Sequence, residues 1–176
     1  MGLYDCSLVT DGSVFIVLAA TEVAKKISRK RVVEVIGSGH AGSTITVFSK
    51  KCITSFEATL SAAKQAYDQA KLTPDNIDFA EVHDCFTITQ IIDTEDLGFF
   101  EKGHGADAVA EGITAIDGTM PINVSGGLKA KGHPIGATGL SQIFEIVTQI
   151  RGEAGNRQLK ISIDLCICAL GVNNAL

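Results

Sequence analysis

The chain has 176 residues, 45% of them hydrophobic, which suits one domain of ordinary size with a buried core. Its formal net charge is −5 and no basic run exceeds the patch Arg29, Lys30, Arg31, which argues against a surface that tracks phosphates, so nucleic acid is not expected as a partner. No apolar run approaches the ~20 residues of a membrane span, and the N-terminus lacks the basic-then-apolar order of a secretory signal; a soluble, cytoplasmic protein is expected.

In chain order, D-G-S-V-F-I-V-L-A-A over residues 11–20 opens on a turn dipeptide and continues as an unbroken apolar run, the pattern of a strand covered on both faces. Thr21, Glu22, Val23, Ala24, Lys25 and Lys26 then cap and start a short helix. R-V-V-E-V-I-G-S-G over 31–39 reads as a second strand that ends in glycines. Over 55–70 the apolar residues Phe56, Leu60, Ala63 and Tyr67 fall three or four apart, which predicts a helix. The segment 72–76 breaks it at Pro74, and I-D-F-A-E-V leads as a strand into H-D-C-F.

Ile88, Ile91, Ile92 and Leu97 continue as a helix, and 98–120, glycine-rich with little periodicity, reads as an excursion over the surface. Leu140, Ile143, Phe144, Val147 and Ile150 form an apolar stripe closed by Gly152. Q-L-K-I-S-I-D-L-C-I-C-A-L-G reads as a final strand or tight strand pair. Strands alternating with helices indicate an α/β fold.

Five cysteines, Cys6, Cys52, Cys85, Cys166 and Cys168, are an odd set without the spacing of a disulfide framework and are expected as reduced thiols. No C-x-x-C pair completes a zinc tetrahedron, so no metal is expected.

The most distinctive stretch is N-V-S-G-G-L-K-A-K-G-H-P-I-G-A-T-G, residues 123–139. Pro134 biases His133 away from helix, and the small residues that follow let backbone amides approach a ligand or another chain segment at the start of the next helix. A helix N-terminus is electropositive and disfavours an imidazolium, so a histidine there is suited to act as a base. The alternative is a structural loop carrying an exposed histidine. His40 in G-S-G-H-A-G-S-T and His104 in K-G-H-G-A-D read as exposed loop histidines, Asp84 as a cap for the helix that follows it, and Ser125, Gly126 and Gly127 as serving backbone geometry.

The stretch 123–139 resembles the thiolase signature N-x-x-G-G-x-x-A-x-G-H-P-x-G-x-T-G at every fixed position. H-D-C-F, residues 83–86, is similar to the corresponding loop of sterol-carrier-protein-type and archaeal acetyl-CoA acetyltransferase-like thiolases, where other thiolases carry N-E-A-F. L-Y-D-C-S-L-V-T-D-G, L-T-P-D-N-I-D-F-A-E-V and Q-I-R-G-E-A-G-N-R-Q extend the resemblance over nearly the whole chain.

The resemblance implies a thiolase-like α/β fold and, within it, the C-terminal domain with a mixed β-sheet between helices. Residues 1–31 then correspond to a closing strand and helix of the thiolase N-terminal domain and 32–176 to the C-terminal domain, with the N-terminal catalytic half absent. It also implies roles. His133 resembles the general base that activates a nucleophilic cysteine, His83 the residue that helps bind the thioester oxygen, and Cys85 the acid/base for the α-proton. The C-x-S loop of the nucleophile is not found, since Cys6 and Ser7 match a different family segment. The terminal D-L-C-I-C-A-L-G departs from the family pattern; Cys168 is a further catalytic candidate there, with a buried structural thiol as its alternative, and Gly171 a candidate on the cofactor side.

Two functions follow as expectations. One is a thiolase-type acyl-CoA acyltransferase half, condensing or cleaving acyl-CoA thioesters of lipid metabolism with a separate N-terminal half, inactive alone, with coenzyme A thioester as substrate and no permanently bound cofactor. The other is a non-catalytic protein that keeps the fold for dimerisation, CoA-ligand binding or scaffolding. In either case the face that meets the other domain is expected to be apolar, giving a homodimer or a complex with that half.

Overall fold

The computed structural model of the chain describes residues 2–44, 46–163 and 165–169, with 167–169 described by backbone alone. Its centre is strand β1, Phe79–Val82, buried at all four positions. Strand β2, Cys166–Ala169, runs parallel to it with Phe79 opposite Cys166 and Val82 opposite Ala169. On the other edge Ala80 donates its N–H to the Pro121 carbonyl at 3.0 Å and accepts from the Asn123 N–H at 2.8 Å, so residues 121–123 extend the parallel pairing. Cys6 adds an isolated antiparallel bridge to Phe86.

Alternate residues of a strand face opposite sides, and each side of β1 meets helices. Ala80 and Val82 join Ala63, Leu97 and Ile122, with Tyr67, Phe99 and Met120 against them, beneath helices α2, Glu57–Ala70, and α3, Thr87–Asp96. Phe79 faces the other way and packs with Val124, Ile146, Leu159 and Ile163 under helix α6, Thr138–Ile150. Burying Phe79 and Val82 stabilises the centre by roughly 1.5–3 kcal/mol each. The expected helices are therefore present at their expected places, and β1 is the expected strand between them.

The N-terminus of α2 is held by α3. Asp96 accepts the Phe56 N–H at 2.6 Å and the Ser55 hydroxyl at 2.7 Å, and Lys102 closes on the same carboxylate at 2.6 Å. Lys71 ends α2 in the left-handed region at φ 58°. Pro74 then starts a turn in which the Thr73 N–H donates to the Asn76 side chain, so the break expected at 72–76 is present.

Three expectations need correction. Residues 11–20 and 31–39 form no strand. A strand exists only with a neighbour that takes its N–H and C=O groups, and among the described residues neither segment finds one. Phe15, Val17 and Leu18 consequently stand 82–89% exposed. Residues 37–39 instead lie against α2: a Cβ on Gly39 would sit 1.9 Å from the Ala62 carbonyl oxygen, and the Ser38 N–H donates to Gln69. Helix α1, Thr21–Ile27, separates the two segments as expected.

Second, 98–120 is not a bare excursion. It contains helix α4, Gly105–Ala110, tied to α3 by the Gly105 N–H on the Glu95 carboxylate at 2.9 Å, with Ala108 buried.

Third, the apolar stripe of α6 turns inward only in part, with Ile150 against the Phe79 cluster. Leu140 and Phe144 are exposed, whereas Gln142, Glu145, Ile146 and Gln149 are buried. Polar side chains can be buried when they are hydrogen-bonded. Glu145 holds Arg157 at 2.9 Å, and the Gln149 amide bonds Glu145, the Arg157 carbonyl and the Leu159 N–H, all within 3.0 Å.

Candidate active site

The site is built where β1 ends. Past Val82 the chain would lose its ladder, but Asn123, at φ 55°, turns its side-chain oxygen to the Val82 N–H at 2.8 Å and its amide to Gln90 of α3 at 2.9 Å. That substitution of a side chain for a strand lets the backbone leave the sheet at His83. Glu81, fully buried, then accepts both the N–H and the hydroxyl of Ser125, at 2.9 and 2.6 Å, and pairs with Lys131 at 3.2 Å. Burial raises the Glu81 carboxyl, with Lys131 and Ser125 acting against it.

Asp84 reaches across to the same loop. Its carboxylate accepts the Leu128 N–H at 2.9 Å, in the first turn of helix α5, Gly127–Lys131. It therefore caps α5 and not the helix that follows it, because residue 127 is glycine at φ 68° and a Cβ there would lie 2.1 Å from the Asp84 oxygen. Burial raises this carboxyl too, opposed by that N–H.

These ties bring the two predicted histidines together. The rings of His83 and His133 meet edge to face, centroids 5.0 Å apart and planes at 74°. Both are part-buried. Burial, and after it the nearby His133, lowers His83 to about 4, so its imidazole is neutral at pH 7. His133 donates its main-chain N–H to Thr10 Oγ1 at 2.7 Å, and its Nδ1 lies 2.6 Å from Thr138 Oγ1. Gly132, at φ 92°, permits the approach: a Cβ would meet Thr10 Oγ1 at 2.8 Å.

Cys85 lies two residues from His83, its carbonyl accepting the Ser7 N–H at 2.9 Å. Burial raises its thiol, against hydrogen bonds from Thr89 and the Phe86 backbone, so it rests as a proton-bearing thiol at neutral pH. The backbone at Cys168 stands opposite Glu81 in the strand pair; its side chain, and Gly171, lie outside the described residues.

His40 and His104 do not join the pair. His40 is exposed and shares backbone hydrogen bonds with Gln65, and His104 faces Asp107 at 3.2 Å beside α4. Cys166 is a core thiol pushed up to about 12 by burial and then Asp78. Cys6, Cys52, Cys85 and Cys166 are free thiols. Among the described residues no three His, Cys, Asp or Glu side chains gather as a metal site, and no helix is long and apolar enough to cross a membrane.

Sequence reasoning did not single out Glu81, Asn123, Thr10 or Thr138. Asn123 and Thr138 are fixed positions of the signature, whereas nothing local marks Glu81 as a partner of Ser125 or Thr10 as a partner of His133.

The family model described as thiolase C-terminal domain-like matches residues 39–169. The chain belongs to that family. Among curated relatives, the acetyl-CoA acetyltransferase of Methanothermobacter thermautotrophicus is 49% identical over 158 residues, covering 90% of this chain and 41% of that protein. The acetyl-CoA acetyltransferase of Methanocaldococcus jannaschii is 40% identical over 90% of this chain and 42% of its own length, and human sterol carrier protein 2 is 37% identical over 89% and 29%. A solved structure described as Ltp2-ChsH2(DUF35) aldolase superposes with a TM-score of 0.77 at 25% identity, over 94% of this chain and 43% of that one. The thiolase-like α/β fold expected from the sequence is thus present, and the chain spans less than half the length of these relatives.

Proposed function

We propose that this thiolase-family chain supplies the base-bearing half of an acyl-CoA acyltransferase, acetyl-CoA C-acetyltransferase-like, completed by a thiolase N-terminal half that brings the nucleophilic cysteine. The observation that carries the reading is the His83–His133 pair with Cys85 on the same loop as His83. In this scheme His133 accepts the proton of the incoming cysteine thiol, and the thiolate attacks the thioester carbonyl and expels CoA, which leaves with the proton of the Cys85 thiol. Neutral His83 offers an N–H to the thioester oxygen, where negative charge grows as the α-proton leaves a second acetyl-CoA. Cys85, a thiol at rest and a thiolate once the departing CoA has taken its proton, accepts that α-proton, and the proton held by His133 returns to the nucleophilic cysteine as the new C–C bond displaces it.

The open apolar surface supports a partner. Phe15, Val17 and Leu18 on one segment and Leu140 and Phe144 on α6 are exposed, and large apolar side chains left open in number are what an interaction surface needs. The same surface serves a homodimer.

The test is thiolysis of acetoacetyl-CoA by the chain alone and co-expressed with a thiolase N-terminal half, with His133→Ala as control. Activity only in the mixture and lost in the variant is the expected result. A stable complex with no turnover would replace this reading with the non-catalytic one, a thiolase-fold unit for dimerisation, CoA-ligand binding or scaffolding.

A further inference from the structure

We infer that Thr138 is a positioning residue that fixes His133 as the Nδ1–H tautomer and leaves Nε2 as the nitrogen with a free lone pair. Thr138 opens α6 and is 2% exposed, with its hydroxyl between two groups: His133 Nδ1 at 2.6 Å and the Pro134 carbonyl at 3.2 Å. A hydroxyl has one proton to give. If it goes to the Pro134 carbonyl, Thr138 Oγ1 accepts from Nδ1–H and both hydrogen bonds exist together. If it goes to Nδ1, the bond to Pro134 is given up and Nε2 must carry the ring proton.

The first arrangement makes one more hydrogen bond from the same atoms, and in a part-buried site an additional made bond decides between tautomers. The backbone reinforces it. Pro134 O also accepts the N–H groups of Ala137 at 2.8 Å and Thr138 at 3.0 Å, so Thr138 and the carbonyl that orients its hydroxyl are held in one turn. His133 itself is held at its N–H by Thr10, which lies outside the stretch matched by the family model. Ring and main chain are thus fixed by separate partners, and β-branched Thr138 has few χ1 choices with which to release the ring.

That Nε2 is the base rests on the function proposed above; the tautomer does not. The experiment is therefore a two-bond 1H–15N correlation spectrum of the full 15N-labelled chain at about pH 8, where an ordinary imidazole is neutral, with His133→Gln assigning the signal. The expected spectrum has a protonated Nδ1 and an unprotonated Nε2 for His133, kept in Thr138→Ser and shifted toward protonated Nε2 in Thr138→Val. A wild-type spectrum with the proton on Nε2, or a Thr138→Val spectrum identical to wild type, overturns the inference; the wild-type arm decides even if the valine variant does not fold. In the assembled enzyme Thr138→Val should lower kcat on the order of 10²-fold, the scale of a general base, with KM unchanged and serine restoring the rate. Absence of turnover in every sample would count against the proposed function while the spectrum still reports the tautomer.

Discussion

Glu81 and Ser125, 44 residues apart in the chain, are joined twice, through the serine's N–H at 2.9 Å and its hydroxyl at 2.6 Å. The carboxylate lies at the buried end of β1 and the serine at the start of the glycine-rich loop, so this contact sets the loop that carries His133 against the strand that leads to His83.

Removing the carboxylate leaves the part-buried Lys131 ammonium and the Ser125 N–H without it. Breaking a buried ion pair on one side costs about 3–5 kcal/mol. Glu81→Ala is expected to lower the urea midpoint by that scale, whereas Ser125→Ala, which keeps the N–H contact, should cost roughly 1–2 kcal/mol. Equal losses in the two variants would mean that the ion pair contributes nothing beyond the serine bond.

Burial of His83 makes stability fall with acid. His83 is lowered to about 4 in the fold against 6.5 for the unfolded chain, so between these values the unfolded state binds a proton that the folded state refuses. Stability from this group is complete above pH 6.5 and is lost as pH falls toward 4. His83→Asn should flatten the slope of unfolding free energy in that window; an unchanged slope would remove His83 as its source.

Asp93 works in the opposite direction. Its side chain is fully buried, one oxygen receives the Thr59 hydroxyl at 3.1 Å, the other has no partner among the described residues, and Asp96 and Lys102 are the charges that act on it. Burial raises it to about 7, so the folded state holds a proton that the unfolded state releases near 3.8. Its contribution is complete below 3.8 and is lost as pH rises to about 7. Asp93→Asn should therefore gain on the wild type as pH rises from 5 to 7, by up to about 1.4 kcal/mol per unit, and hold a constant difference above it. Urea titrations of both proteins at pH 5, 6, 7 and 8 measure this.

Gly127 combines a positive φ with the Asp84 carboxylate at the site of a Cβ. Gly127→Ala is expected to displace Asp84 from the Leu128 N–H and to add strain on the order of 1–2 kcal/mol. The direct readout is faster hydrogen exchange at the Leu128 amide; protection equal to the wild type's would show that the loop accommodates the methyl group.

Phe144 is 57% exposed on α6, so Phe144→Ser should change the unfolding free energy of the chain alone by about 0.5 kcal/mol or less. If this face is where a second chain seats, the same variant should shift light scattering toward the monomer, or weaken binding of a co-expressed N-terminal half. A variant that loses stability without changing association would place Phe144 in the chain's own packing.

The sequence by itself determined the helices over 57–70, 87–96 and 138–150, the strand at 79–82 and the two motif loops, because each rests on spacing along the chain or on residues that restrict their own backbone. The tertiary structure alone decided which side of α6 turns inward. Periodicity marked Leu140 and Phe144, but Arg157 and the backbone around Leu159 satisfy Glu145 and Gln149, and that made the polar side buriable. It also decided that 11–20 and 31–39 are not strands, since strand pairing depends on a neighbour and not on local preference. The same holds for the site: the residue pattern pointed to His83 and His133, while their mutual orientation depends on Glu81, Asp84, Asn123 and Thr10, partners 41 to 123 residues away for which no local pattern exists.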